Sequence, residues 1–249
     1  MRARCLRYDI PGYTPYWKAL HWQRELFRLR TSGLPGEAHP NVVLALEHEP
    51  VFTLGRAASQ RDLHFPGVTP NEDDDSPLPP TPFGFSAHRV ERGGKVTYHG
   101  PGQLVVYPIL DLRAFRADLH WYVESIEEVI IKSLKLGGGV SAFRVKGSPG
   151  VWTGVEGSGR ERKIAAVGMN CSKWYTQHGF AINVNPNLSH FEYIVPCGVA
   201  ERGRVTSLEQ ESGGMALGEF KAVALKCFEE VFECDLISAP LADLPVLPS

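Results

Sequence analysis

The sequence predicts an α/β (α+β) domain, a mixed sheet with flanking helices. Asn41–His48 (NVVLALEH) is a Val- and Leu-rich run of strand length. Asp118–Leu136 carries one apolar stripe at helical spacing. Three short strand-like runs, Val151–Val155, Lys163–Cys171 and Phe180–Val184, follow without a helix between them, so the regular β-α alternation of a parallel sheet is missing. With 249 residues the chain can bury a substantial core.

In chain order, the N-terminal MRARCLRYDI passes into a helical pattern at Tyr16–Leu29, with Trp17, Leu20, Arg24 and Phe27 at helical spacing and Gly33-Leu34-Pro35-Gly36 as the stop. The strand Asn41–His48 comes next. Phe65–Phe85 gathers six prolines around the acidic run Glu72–Asp75, the composition of a solvated, flexible insertion without chemistry. Strands Lys95–His99 and Leu104–Leu110 join through Gly100-Pro101-Gly102. In the helix Asp118–Leu136, Asp118 caps, Leu119, Tyr122, Val123, Ile126, Val129 and Ile130 form the stripe, and three glycines end it. Glu156–Arg162 is a polar, Gly-rich turn. A last helix, Leu217–Phe232, places Phe220, Val223, Ala224, Cys227, Phe228 and Val231 on one face, and Cys234 continues that stripe. Residues 1–236 read as one domain carrying the 65–85 insertion, and 237–249 as a Pro-rich tail.

Charge and cysteine content narrow the chemistry. A net charge of -2 argues against a dedicated nucleic-acid binder. Five scattered cysteines with no CxxC pair and no Cys/His cluster predict neither a metal site nor a secretory disulfide framework. No apolar run reaches the ~18–20 residues of a membrane span. The N-terminus shows neither a secretory signal nor a long transit peptide, so an organellar location requires a targeting segment absent from this sequence.

Two motifs suggest covalent transfer. Arg92–Gln103 (RGGKVTYHGPGQ) is a glycine-punctuated loop and strand that lets backbone approach a ligand, although it matches neither a P-loop nor a dinucleotide fingerprint. Pro196-Cys197-Gly198 presents one thiol between a rigid and a permissive residue. Cys171, Cys227 and Cys234 are expected to pack, and Cys5, near the terminus, is given no role. A thiol of ordinary pKa needs a cation or base to ionise, and Lys163, His99 and His178 are the candidates. Strand parity puts Lys163 on the face of Val167 and Cys171, but eight residues at ~3.3 Å put Cys171 roughly 26 Å away, too far to be its partner. Apolar walls from Val96, Tyr98, Ala165, Val167 and Gly179-Phe180-Ala181 suit an acyl chain better than a nucleotide.

RGGKVTYHGPGQLVVYPILDL, GVWTG, KIAAVG, HGFAINVN and PCGV, in this order, resemble the lipoyl (octanoyl) transferase family, supported by EHEPVFTLG at Glu47–Gly55 and VTSLEQE at Val205–Glu211. The likeness spans about Leu6 to Phe232, and DLHWY and SKW at Asp118–Tyr122 and Ser172–Trp174 resemble plastid-type members. It implies the single-domain fold of biotin and lipoate ligases and the transfer of an octanoyl group from acyl carrier protein to a lysine of a lipoyl domain, in an oxoacid dehydrogenase or the glycine-cleavage H protein. The implied roles are Cys197 as the acyl-thioester nucleophile and Lys163 as the group that lowers its pKa and handles protons. The octanoyl site would be lined by Arg92, Gly93, Gly94, Lys95, Val96, Thr97, Tyr98 and His99, with Ala166, Val167, Gly168, Gly179, Phe180 and Ala181. No cofactor or metal, a monomer, and a plastid, less readily a mitochondrial or a cytoplasmic, setting are implied. The long 65–85 insertion, the lengthened turn at Gly157–Arg162, Asn170 in place of a common arginine and Lys95 in place of Gln or Glu depart from the pattern and bear on partner choice. The alternatives are an ATP-dependent ligase on the same fold, a non-catalytic module that binds acyl carrier protein, and a base role for His99 rather than Lys163.

Overall fold

The N-terminal segment is extended: strand β1 runs over Ala3–Thr14, and helix α1 begins only after Pro15, at Tyr16–Thr31. The computed structural model describes residues 2–32, 39–69, 76–195 and 203–246. The next elements are β2 (Asn41–His48), β3 (Val51–Leu54), β4 (Ser86–Arg89), β5 (Val96–His99) and β6 (Gln103–Ile109). Helix α2 (Leu119–Gly138) leads to β7 (Ala142–Val145), β8 (Ser148–Thr153), β9 (Glu161–Ser172) and β10 (Tyr175–Asn183). The chain closes with β11 (Gly203–Val205), α3 (Leu208–Ser212), α4 (Leu217–Val231) and β12 (Cys234–Ser238).

Among the described residues nine strands form one mixed sheet in the order β12-β1-β2-β6-β10-β9-β8-β7, with β11 pairing parallel to β9. A second sheet, β4-β3-β5, packs as a small lobe. On one face of the large sheet α2 and α4 cover the main core, where Ile126, Ile130, Leu104, Ile164, Ile182 and Phe228 are fully buried. On the other face α1 covers Tyr8, Leu44, Val105 and Tyr107 through Ala19, Trp22 and Leu26. The central strands read as apolar runs rather than alternating ones because both faces are covered. No helix among the described residues is long and apolar enough to cross a membrane.

Several expectations need correction. The α1 stripe is out of phase: Tyr16, Ala19, Leu20, Gln23 and Leu26 are buried, whereas Trp17 is 51% exposed. Large apolar residues lie around much of this helix, so spacing alone did not select the buried face. Cys234 does not continue the α4 stripe. The helix ends at Val231, Glu233 takes φ 49°, and Cys234 opens β12 beside β1, where it and Cys5 are fully buried. Val155 is an exposed turn residue, and β10 begins five residues before Phe180.

The insertion and the tail both make packing contacts. Phe65 and Phe85 pack against Phe52 with tilted rings, centroids 5.1 and 6.2 Å away, while Glu72–Asp75 lies outside the described residues. In the tail Leu244 is buried against the α1 side, and the Trp22 indole N–H donates to Pro245 O at 3.1 Å.

Asp118 caps α2, its Oδ1 accepting from the backbone N–H of His120 and Trp121 at 2.9 and 3.1 Å. Gly139 ends the helix at φ 66°, where an added Cβ would meet nothing within 4 Å. Gly139→Ala therefore isolates the backbone cost of the left-handed cap: a loss of about 1 kcal/mol is expected by urea denaturation, with an unchanged m-value.

Candidate active site

The glycine loop is held between the two sheets by backbone. Gly93 N–H donates to Met169 O on β9 at 2.9 Å, Arg56 N–H to Arg92 O at 3.0 Å and Ala57 N–H to Gly94 O at 3.1 Å. A Cβ on Gly55 would stand 2.4 Å from Gly94 O and 2.9 Å from Gly93 O, so that crossing admits only glycine. The buried Arg92 guanidinium donates to Thr53 O at 2.7 Å, Thr53 Oγ1 at 2.9 Å and Gly93 O at 3.0 Å. It thus acts as a strut between β3 and the loop.

Beneath this loop lies a cavity of about 360 Å³. Arg92, Gly93, Gly94, Lys95, Val96, Thr97 and His99 line it, as do Ala166, Val167, Gly168, Gly179, Phe180 and Ala181, together with Lys163. Tyr98 is the exception. Alternate residues of a strand face opposite ways, so Thr97 and His99 reach the cavity, Val96 borders it while packing in the small-lobe core, and the Tyr98 ring packs with Phe52, Phe191 and His190 in the small lobe. Cys197 lies outside the described residues.

Lys163 is 6% exposed, with Nζ donating to Pro149 O at 3.0 Å and lying 5.2 Å from the centre of the Trp152 ring. A Cβ on Gly150 would come within 2.7 Å of Lys163 Cε, so the glycine makes room for the lysine. The parity argument for Lys163 fails here. The pairing of β8 with β9 shifts register between Val151↔Ala165 and Trp152↔Lys163, which leaves Ile164 as an extra residue. Ile164 and Ala165 both enter the main core, and the alternation resets. Lys163 thereby leaves the face of Val167 and Cys171. Cys171 has its thiol pKa raised by burial, as expected of a packed cysteine.

Residues given no site role from the sequence also line the wall, among them Tyr16 at the start of α1, Gln103 and Tyr107 on β6, Asn183 on β10, and Phe191 and Val205 on either side of the segment holding Cys197. Gln103 was legible inside the HGPGQ motif. Tyr107 lies inside RGGKVTYHGPGQLVVYPILDL, but like Tyr16 it reads as an ordinary packing aromatic.

The polar groups here form a chain. His99 Nδ1–H donates to Gln103 Oε1 at 2.7 Å, Gln103 Nε2 to Asn183 Oδ1 at 2.9 Å, and Asn183 Nδ2 to Thr206 O at 2.9 Å. Thr206 N–H then donates to Lys163 O at 2.9 Å. His48 Nδ1–H donates to Thr14 O at 2.9 Å, so its Nε2 must accept from the Tyr107 hydroxyl at 2.7 Å. Burial lowers the pKa of His99 to about 3 and that of His48 to about 4, so both rings are neutral near pH 7. His178 is also lowered by burial and sits at φ 62°, its backbone N–H donating to Gln23 Oε1 at 3.0 Å.

A pH effect follows from the histidines. An unfolded histidine takes up its proton near pH 6.5, which the folded His48 and His99 resist, so stability is full above ~6.5 and falls as pH drops toward their folded values. Each contributes up to about 1.4 kcal/mol per pH unit within that window. Urea unfolding at pH 7.5, 6.5 and 5.5 is expected to show the decline, reduced in His48→Gln. An unchanged stability over that range would contradict the neutral assignment.

The comparisons with known proteins agree with this geometry. Residues 15–229 match the family model of the lipoyl protein ligase A/B catalytic domain. An octanoyltransferase of Nostoc punctiforme is 41% identical over 239 residues, covering 96% of this chain and 93% of its own length. One from Gloeobacter violaceus is 42% identical over 230 residues, covering 92% and 91%. Among solved structures, lipoate-protein ligase A bound with ATP superposes with a TM-score of 0.66 at 17% identity, covering 97% of this chain and 90% of that one. The bipartite lipoate protein ligase of Thermoplasma acidophilum gives 0.66 at 16%, covering 97% and 88%. These two likenesses establish the fold. With a family match over most of its length and octanoyltransferase relatives above 40% identity, the chain belongs to the lipoyl protein ligase A/B catalytic domain family.

Proposed function

We propose that this protein is an octanoyltransferase, an acyltransferase that moves an octanoyl group from acyl carrier protein to a lysine of a lipoyl domain through a thioester on Cys197. The observation that carries the reading is the placement of Lys163. It is buried beside an acyl-sized, largely apolar cavity, and Phe191 and Val205, from the described chain on both sides of Cys197, line the same cavity. The octanoyltransferase relatives from Nostoc punctiforme and Gloeobacter violaceus support the choice of acyl group.

In the first step the Cys197 thiolate attacks the thioester carbonyl, the carbonyl–sulfur bond to the carrier breaks, and the leaving thiolate takes the proton of Lys163. One thioester replaces another at nearly equal energy, so ATP is not needed. Lys163, as a cation, favours the Cys197 thiolate. In the second step the neutral acceptor amine attacks the acyl-enzyme, an amide C–N bond forms, Cys197 leaves as thiolate, and Lys163, having lost its proton, accepts one from the amine. His99, neutral and bonded to Gln103, serves as a wall and anchor of the polar chain. The acceptors on this reading are lipoyl domains of oxoacid dehydrogenases or the glycine-cleavage H protein. The setting is a plastid or a bacterial-type cytoplasm.

The test is intact-protein mass spectrometry after mixing with octanoyl-acyl carrier protein without ATP. A hydroxylamine-labile octanoyl adduct is expected, absent in Cys197→Ser and formed at least ~100-fold more slowly in Lys163→Met. His99→Ala is expected to retain adduct formation within about tenfold, less than the range of a lost general base. Transfer that appears only with free octanoate and ATP would establish the ligase reading instead.

A further inference from the structure

One row across the sheet limits how far the cavity can extend from Lys163. Gly168 on β9 pairs with Gly179 on β10, and the β10–β6 register (Phe180↔Val106, Ala181↔Val105) continued by one residue sets Gly179 opposite Tyr107. A Cβ on Gly179 would lie 2.2 Å from Val106 O and 2.5 Å from Pro108 Cδ, on the two sides of Tyr107, which agrees with that register. All three residues line the cavity. Two of the three have no side chain, so Tyr107 is the one side chain the row itself contributes, while Arg92 Cδ from the loop lies over Gly168.

The ring is held in place. Its hydroxyl donates to His48 Nε2 at 2.7 Å, and His48 is fixed in turn by Thr14 O at 2.9 Å. Leu44 pairs with Tyr107 on β2, and His48 lies against it with ring centroids 5.9 Å apart. The row is also at a suitable distance. From Lys163 to Gly168 the strand advances five positions, one of them absorbed by the bulge at Ile164, which makes roughly 13 Å. An extended eight-carbon acyl chain spans roughly 9 Å, given carbon–carbon bonds near 1.5 Å in a zigzag. With its methyl end at the glycine row, its carbonyl then stands roughly 4 Å short of the Lys163 position along the strand.

Resting on the acyl-transfer reading above, we propose that Tyr107 is the chain-length determinant of this enzyme, closing the space above the Gly168–Gly179 pair at the methyl end of an eight-carbon chain. Two substitutions move the boundary in opposite directions. Tyr107→Ala opens the row to longer chains. Gly168→Val fills it, since even a Cβ there would lie 3.1 Å from Arg92 Cδ, and shortens the chain accepted.

The experiment loads the full-length protein from an equimolar mixture of hexanoyl-, octanoyl- and dodecanoyl-acyl carrier protein and reads the acyl adducts by intact mass. Wild type is expected to carry octanoyl. In Tyr107→Ala the dodecanoyl-to-octanoyl ratio should rise roughly tenfold or more, and in Gly168→Val the hexanoyl-to-octanoyl ratio should rise similarly, the order of discrimination a methylene or two commands in an apolar site. Should Tyr107→Ala fail to fold, Gly168→Val carries the test. Variants that still form adducts but keep the wild-type ratios would overturn the role of Tyr107 and leave the acyl-transfer reading standing. A wild type that forms no adduct of any length would overturn that reading and the chain-length role with it.

Discussion

The site depends on a backbone crossing with no room for a side chain. Gly55 passes so close to Gly93 and Gly94 that a Cβ would overlap their carbonyl oxygens, and Gly93 N–H is bonded to Met169 O. This contact docks the small β4-β3-β5 lobe onto β9 and roofs the cavity. Arg92 stabilises the crossing from inside by satisfying Thr53 O, Thr53 Oγ1 and Gly93 O with one guanidinium. A buried cation of this kind is tolerable only when its donors are used, because an unpaired one would cost several kcal/mol. Removing the arginine would therefore unseat the roof as well as delete a charge.

Lys163 meets a related constraint by a different route. The six residues that follow it on its strand, Ile164–Met169, are small or apolar, and the bulge at Ile164 turns it away from the main core. Pro149 O and the Trp152 ring receive its ammonium, and Gly150 leaves the space it needs. The low-dielectric surroundings that make such burial costly also strengthen the lysine's influence on a thiol brought beside it. On the reading proposed here, that is how a cysteine of ordinary pKa becomes a nucleophile without a metal or a histidine base.

The polar chain from His99 through Gln103, Asn183 and Thr206 to the Lys163 backbone shows how one network links the glycine loop to β9. Each member comes from a different segment, and every bond in it crosses between elements. The neutral histidines fit this role: kept uncharged by burial, they act as fixed donors and acceptors. The cavity consequently has apolar walls with a hydrogen-bonded polar chain behind them.

By itself the sequence determined β2, β5, β6, β9 and α2 nearly to the residue, because each carries a periodicity or cap that acts over neighbouring positions. The glycine loop Arg92–Gln103 and Lys163 stood out locally, and the family resemblance joined Arg92–His99, Lys163 and Gly179–Ala181 into one site, from which Tyr98 is the exception. The extended β1 was hidden by its polar exposed positions, and β12 by a helical stripe that Cys234 seemed to continue. Tertiary structure alone decided that Lys163 leaves the face of Cys171, that Tyr98 belongs to the small lobe, and that Tyr107 falls in one row with two glycines. Each of those outcomes depends on strand register or on which face a second layer covers, and neither quantity is stored in the spacing of nearby residues.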